Sequence, residues 1–175
     1  MNSLIRRDYE YLRQKLEGQE VRRLNTSKQL AEAAAHGGAT LSKIPEFAGL
    51  MEELKVIDSS IDSMGMSLQA ASVVEFEDID DSVIGDYSLV HVSYSDTGDT
   101  SSYYILDPVV GDILKIDDDV FIASPNSPLG SALLGKKVGD IIELMLPKGT
   151  RTLRIESFHK KLYLLQNTEP TTEAC

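Results

Sequence analysis

The chain of 175 residues has no tryptophan, and aromatic residues make up only 6% of it, a poor supply for an aromatic-lined pocket. Its one cysteine is Cys175. A lone thiol excludes an internal disulfide and a cysteine-based metal site, and it suits a reducing, cytoplasmic setting. No apolar run approaches the ~20 residues needed to span a bilayer, so no membrane partner is expected. The basic pair Arg6-Arg7 is followed by Asp8 and no hydrophobic stretch, unlike a secretion signal. Basic residues are also scarce, 17 against 28 acidic ones, for a net charge of −11. That charge argues against holding DNA or RNA by broad phosphate neutralisation.

Motifs for independent chemistry are missing too. His36, His91 and His159 have neither zinc-ligand spacing nor acidic partners at i+3 or i+4. No glycine-rich loop ends in Lys-Ser or Lys-Thr, no GxGxxG follows a strand, and there is no GxSxG elbow. Asp117-Asp118-Asp119 reads as a solvated turn, because one rigid cation site seldom uses three consecutive carboxylates.

What the chain does have is 42% hydrophobic and 26% charged residues, the balance of a folded protein, arranged with two different periods. Leu50, Leu54, Ile57, Ile61, Met64 and Leu68 recur at alternating steps of four and three, a heptad seam along one helix. A weaker seam precedes it: Ile5, Tyr9, Leu12, Leu16, polar Gln19, Arg23 and Thr26, then Leu30 and Ala33. A shift of one position recovers Val21 and Leu24, so a stutter is expected there. The paired glycines of His36-Gly37-Gly38-Ala39-Thr40 break the first helix. Pro45 suits the first turn of the next, where Glu46 meets the positive end of the helix dipole. Two seams joined by a short break predict an antiparallel coiled-coil hairpin over residues 1–70, with arms of ~45 Å.

After residue 70 the period falls to two. Val90, Val92 and Tyr94 alternate with less apolar neighbours, Ser95-Asp96-Thr97-Gly98-Asp99 is a turn cluster, and residues 103–106 return as a strand. Further strands are predicted over 73–76, 113–116, 141–146 and 153–158, with a turn at Pro147-Lys148-Gly149-Thr150 between the last two. One short helix interrupts them, with Ser127 as cap, Pro128 in its first position, Leu129, Leu133 and Leu134 on its apolar face, and Gly135 at its end. The expected class is therefore α + (α+β): the hairpin, a linker with the first strand (71–86), an antiparallel sheet domain with one short helix (87–165), and a polar tail (166–175). Charge follows the same division. Residues 1–70 carry nine Lys/Arg against ten Asp/Glu, and the remainder carries eight against eighteen.

The run from Ile122 through Ser124-Pro125-Asn126-Ser127-Pro128-Leu129-Gly130-Ser131-Ala132-Leu133-Leu134-Gly135-Lys136-Lys137-Val138-Gly139-Asp140 resembles the C-terminal signature of the Gre transcript-cleavage factors. That signature reads approximately Ser-Pro-hydrophobic-small-x-Ala-Leu-hydrophobic-Gly-Lys-x-x-Gly-Asp. The strand 141–146 and Pro147-Lys148-Gly149 extend the likeness. The resemblance implies an FKBP-like C-terminal domain behind an N-terminal coiled coil. It also implies RNA polymerase as partner, entry into the polymerase secondary channel, and docking on the channel rim through Ser124, Pro125 and Asn126. Loops of this kind are where recognition residues concentrate. Any contact with DNA is then indirect, and a hairpin that satisfies its own seam is expected to be monomeric.

In cleavage-competent Gre factors the tip runs approximately Ala-Arg-x-His-Gly-Asp-Leu-x-Glu-Asn-Ala-Glu-Tyr, and two carboxylates help hold a second Mg2+ in the polymerase active centre. Here Ala34-Ala35-His36-Gly37 matches the approach and Glu46-Phe47 the later Glu-Tyr. Between them stand Gly38, Ala39, Thr40, Leu41, Ser42, Lys43, Ile44 and Pro45, about two residues longer and without an acid. Gly38 replaces the Asp, and a lysine near the Glu position would repel a metal. The resemblance thus implies an accessory factor that is not itself an enzyme, has no cofactor of its own, and stimulates transcript cleavage weakly or not at all. Three other readings stand beside it. They are a cleavage-competent factor relying on Glu46, a peptidyl-prolyl isomerase on the FKBP-like domain, and a chaperone-like hairpin that clamps partners non-specifically.

Overall fold

The computed structural model of the chain describes residues 2–37, 45–146 and 149–166. The chain divides into two compact units, one of residues 9–70 and one of residues 1–8 with 71–175.

The first unit is the helical hairpin. Helix α1 spans Arg6–Gly37 and α2 spans Pro45–Ala70, so the expected restart at Pro45 is where the second arm begins. Ion pairs cross between the arms, among them Arg22 Nη2 to Glu53 Oε1 at 2.6 Å and Arg23 Nε to Asp58 Oδ1 at 2.5 Å. Seven residues separate the end of α1 from the start of α2, too few to return along an arm, so pairs joining the middles of the two helices make the arms antiparallel. Leu12, Thr26, Ile57, Met64 and Ser67 are buried, while Leu50, Leu54, Ile61 and Leu68 are half-buried. The expected stutter is absent. Val21 and Leu24 are 61% and 57% exposed, and Thr26, in the unshifted register, is 4% exposed. A polar contact sequence is tolerated here because Arg23 sends its charge outward to Asp58, so α1 need not rotate to bring Val21 and Leu24 inward.

The second unit opens with strand β1 (Asn2–Ile5), which pairs in parallel with β2 (Ala71–Val74) in the register Asn2↔Ala71 to Ile5↔Val74. Parallel neighbours require a long crossover, and residues 6–70 supply it. The predicted strand at 73–76 thus begins and ends earlier and belongs to this separate pair. A 3₁₀ turn (Phe76–Asp78) leads to the main sheet. Its strands are β3 (Ser88–Tyr94), β4 (Thr100–Ile105), β5 (Val120–Ala123), β6 (Ile141–Leu146) and β7 (Gly149–Lys160), in the order β5-β4-β3-β7-β6.

The class is α followed by α+β, as expected, but the sheet is mixed: β4 and β5 run parallel. The cause lies in residues 107–116. Asp107 caps a one-turn helix α3 (Pro108–Gly111), its Oδ1 accepting the Val109 N–H at 2.9 Å. The chain beyond that turn is not the predicted strand. Ile113 and Leu114 are buried, and only Leu114 bridges, to Leu165. The strand falls instead at Val120–Ala123, after the α3 crossover has brought the chain back to the same end of the sheet. The other short helix, α4 (Pro128–Leu133), stands where the sequence places it.

Side chains alternate across the sheet. Val90, Val92, Ile105, Ala123, Ile142, Leu153 and Ile155 form one core with Leu133 of α4. Leu89 and Tyr104, paired in register, face the other way, where Tyr87, Tyr104 and Tyr163 meet edge to face with centroids 6.3 and 4.9 Å apart. Tyr87 is fully buried at φ +64°, a left-handed conformation uncommon for a bulky residue. Its hydroxyl accepts the Ile5 N–H at 3.2 Å and donates to Asp8 Oδ2 at 3.0 Å. Asp8 is itself fully buried. It pairs with Arg7 at 2.6 Å, and Arg7 also donates to the Tyr163 carbonyl at 2.8 Å. The Ser3 N–H donates to Asp86 at 2.6 Å. These bonds tie residues 3–8 to the sheet.

Candidate functional site

Two regions carry the sequence-based site residues. The first is the hairpin tip. Gly38, Thr40, Leu41, Ser42 and Lys43 lie outside the described residues, as does the side chain of Glu46, whose backbone belongs to the first turn of α2.

The second is the loop between β5 and α4, and it is built tightly. The Ser124 carbonyl accepts both the Ser127 N–H at 2.9 Å and the Ser127 hydroxyl at 2.7 Å. The same hydroxyl accepts the Gly130 N–H at 3.0 Å, capping α4 while bracing the loop. Ser124 Oγ accepts the Asn126 N–H at 3.3 Å. Gly130 is demanded by close approach, since a Cβ there would sit 1.9 Å from the Ser124 oxygen. Of the three residues that the resemblance implies for docking, only the last is exposed. Pro125 is buried, Ser124 is half-buried and Asn126 is exposed. Proline reads as a surface turn residue, and no sequence signal distinguishes one folded beneath its own helix.

The rest of the run is framework. Gly135 has φ +75° and donates to the Ile84 carbonyl at 2.8 Å. Gly139 has φ +89° and donates to the Ile155 carbonyl at 2.8 Å, while Asp140 Oδ2 accepts the Lys137 N–H at 2.9 Å. These groups are spent on geometry, while Asn126, Pro128 and Ser131 are exposed.

Sequence reasoning missed the Asp8–Tyr87 contact. An acid in a first helical turn reads as a solvated partner of the helix dipole, and nothing in the spacing marks it as buried. Burial pushes the Asp8 carboxyl up from its ordinary value, against the opposing pull of Arg7 and the Tyr87 hydroxyl. Asp86 is raised as well, again chiefly by burial. Among the described residues no group of three or more His, Cys, Asp or Glu is placed to hold a metal ion. No helix among them is long and apolar enough to cross a membrane.

The fold is thus a hairpin of two long helices followed by a small mixed sheet, with a capped helix after its edge strand β5. The family described as transcription elongation factor GreA/GreB, C-terminal, matches residues 72–160. Transcription inhibitor protein Gfh1 of Thermus thermophilus is 31% identical over 156 residues, covering 89% of this chain and 96% of that one. Transcription elongation factor GreA of Thermotoga neapolitana is 31% identical over 156 residues, covering 87% and 93%. A crystal structure of Gfh1 from Thermus thermophilus covers 90% of this chain and 98% of its own at 29% identity, with a TM-score of 0.42. The chain belongs to the GreA/GreB family of transcription elongation factors. Such factors are accessories of RNA polymerase and not enzymes in their own right.

Proposed function

We propose that this protein docks on RNA polymerase through the sheet domain, enters the secondary channel hairpin first, and occupies it while stimulating transcript cleavage weakly or not at all. One observation carries the reading. From Gly38 to Pro45 the only ionisable side chain is Lys43, and the nearest carboxylate, Glu46, has no acidic neighbour in that run. One carboxylate beside an ammonium does not fit a second Mg2+, which needs charge neutralisation and several oxygen ligands. No step of a cleavage reaction is therefore assigned to the tip. The likeness to a protein named as a transcription inhibitor favours the same direction, occupation without rescue.

In this reading Asn126 makes the contact with the channel rim, and Ser124 and Pro125 hold it in place. The test is a cleavage assay on backtracked elongation complexes. The expected result is little cleavage by this protein alone, and suppression of the cleavage driven by a competent Gre factor as the two compete for polymerase. Robust cleavage that disappears in Glu46→Ala would overturn the reading. Activity on a proline peptide would instead support the isomerase alternative.

A further inference from the structure

Between the arms of the hairpin, at mid-height, the contact opens. Every residue of α1 from 20 to 25 is exposed, and an open groove of about 750 Å³ lies between this stretch and α2 beside the Arg23–Asp58 pair. Its apolar lining is Leu24, Leu54 and Ile61. Of the charged residues on its walls, Arg23 is committed to Asp58 at 2.5 Å. Moving three residues back along α1 and four residues on along α2 leads one turn further on the same facing surfaces. There the walls carry Glu20 and Asp62, both exposed, and neither forms an ion pair with a described residue. At Arg22–Glu53 and Arg23–Asp58 charges of opposite sign meet across the hairpin. Here both walls carry an acid, beside the apolar side chains of Leu24, Leu54 and Ile61.

We propose that this groove is a docking site for a lysine or arginine side chain presented by RNA polymerase beside an apolar residue. The alkyl stem lies along Leu24 and Ile61, and the cation sits between Glu20 and Asp62. Both chemistries are needed at once. An aliphatic stem with a charged end covers apolar surface and ends among carboxylates, while a nucleic-acid strand would bring phosphates against the same two acids. The partner is therefore a protein segment. The inference rests on polymerase binding and names a contact made by the shaft of the hairpin, apart from its tip and the Asn126 loop.

The test measures binding of the full chain to core RNA polymerase, with thermal unfolding of each variant alongside. Asp62→Lys places a cation opposite Glu20, so its melting temperature stays level or rises. Glu20→Lys/Asp62→Lys keeps a like-charged pair of inverted sign, so its melting temperature stays close to that of the wild type. Both variants are expected to bind polymerase roughly tenfold or more weakly. The neutral pair Glu20→Gln/Asp62→Asn should fall between, and the wild-type affinity should decline with added salt. Tight polymerase binding by the wild-type chain, matched by both reversed variants, would overturn this inference alone. Failure of the wild-type chain to bind would overturn the functional reading and this inference with it.

Discussion

Replacing Asp8 by alanine tests the most exacting contact in the structure. The carboxylate is fully buried, and it receives the Tyr87 hydroxyl at 3.0 Å and the Arg7 guanidinium at 2.6 Å. Truncation leaves the buried Tyr87 hydroxyl without its acceptor, a loss of about 1–3 kcal/mol. Arg7 suffers less, because its side chain is 34% exposed and keeps the Tyr163 carbonyl; reaching water limits its share to about 1 kcal/mol. Asp8→Ala should therefore destabilise by about 2–4 kcal/mol. Tyr87→Phe removes the same hydrogen bond from the other side and also strips the Ile5 N–H of its acceptor, costing about 1–3 kcal/mol.

Because the two substitutions share one bond, the double variant should cost less than their sum, by about 1 kcal/mol or more. Urea unfolding followed by tyrosine fluorescence reads all three, with attention to the slope, since the chain has two compact units. Additive costs, or a loss below about 1 kcal/mol for Asp8→Ala, would refute the assignment. The pH dependence carries a sign of its own. The folded carboxyl binds its proton more tightly than the unfolded one, because burial raises it above 3.8. Its contribution is thus fully present below 3.8 and is lost as pH rises through the folded value. The stability advantage of the wild type over Asp8→Asn should consequently grow as pH is lowered toward 4, the reverse of ordinary acid denaturation. An advantage that shrinks on acidification would contradict it.

Other expectations concern packing. Gly130→Ala should displace the loop after β5, costing about 1–3 kcal/mol and weakening polymerase binding, checked by unfolding and a pull-down on core polymerase. Ile57→Ala should cost about 2–5 kcal/mol, whereas Val21→Lys and Leu24→Lys should each stay within about 0.5 kcal/mol, because only Ile57 is buried. Equal losses at all three sites would restore the stutter. Asn126→Asp should weaken polymerase binding without lowering the melting temperature, since the side chain is exposed and the loop uses only the backbone N–H of this residue.

The parts legible in the sequence are those where one residue type answers one local demand. Alternating steps of four and three gave the arms of the hairpin, and Ser127-Pro128 with Gly135 framed α4. Legibility ended where the deciding partner lies far along the chain. The apolar run at 113–116 reads as a strand, whereas Ile113 and Leu114 are buried just after a one-turn helix whose start signal is Asp107-Pro108. Val21 and Leu24 suggested a shifted seam because apolar residues are counted without regard to how an arginine disposes of its charge. Asp8 was unreadable, since its acceptor role is set by Tyr87, a residue from the other end of a long crossover. At the site, the signature run identified the loop but not which of its residues faces outward.

The parallel pairing of β1 with β2 has a consequence for biosynthesis. Leu4 and Ile5 leave the ribosome early, yet their strand partners Val73 and Val74 follow only after both long helices have been made. The opening segment must wait, unpaired and greasy, through most of the first unit's translation. Nascent chains should therefore bind a holdase through these residues until about residue 74 has cleared the exit tunnel.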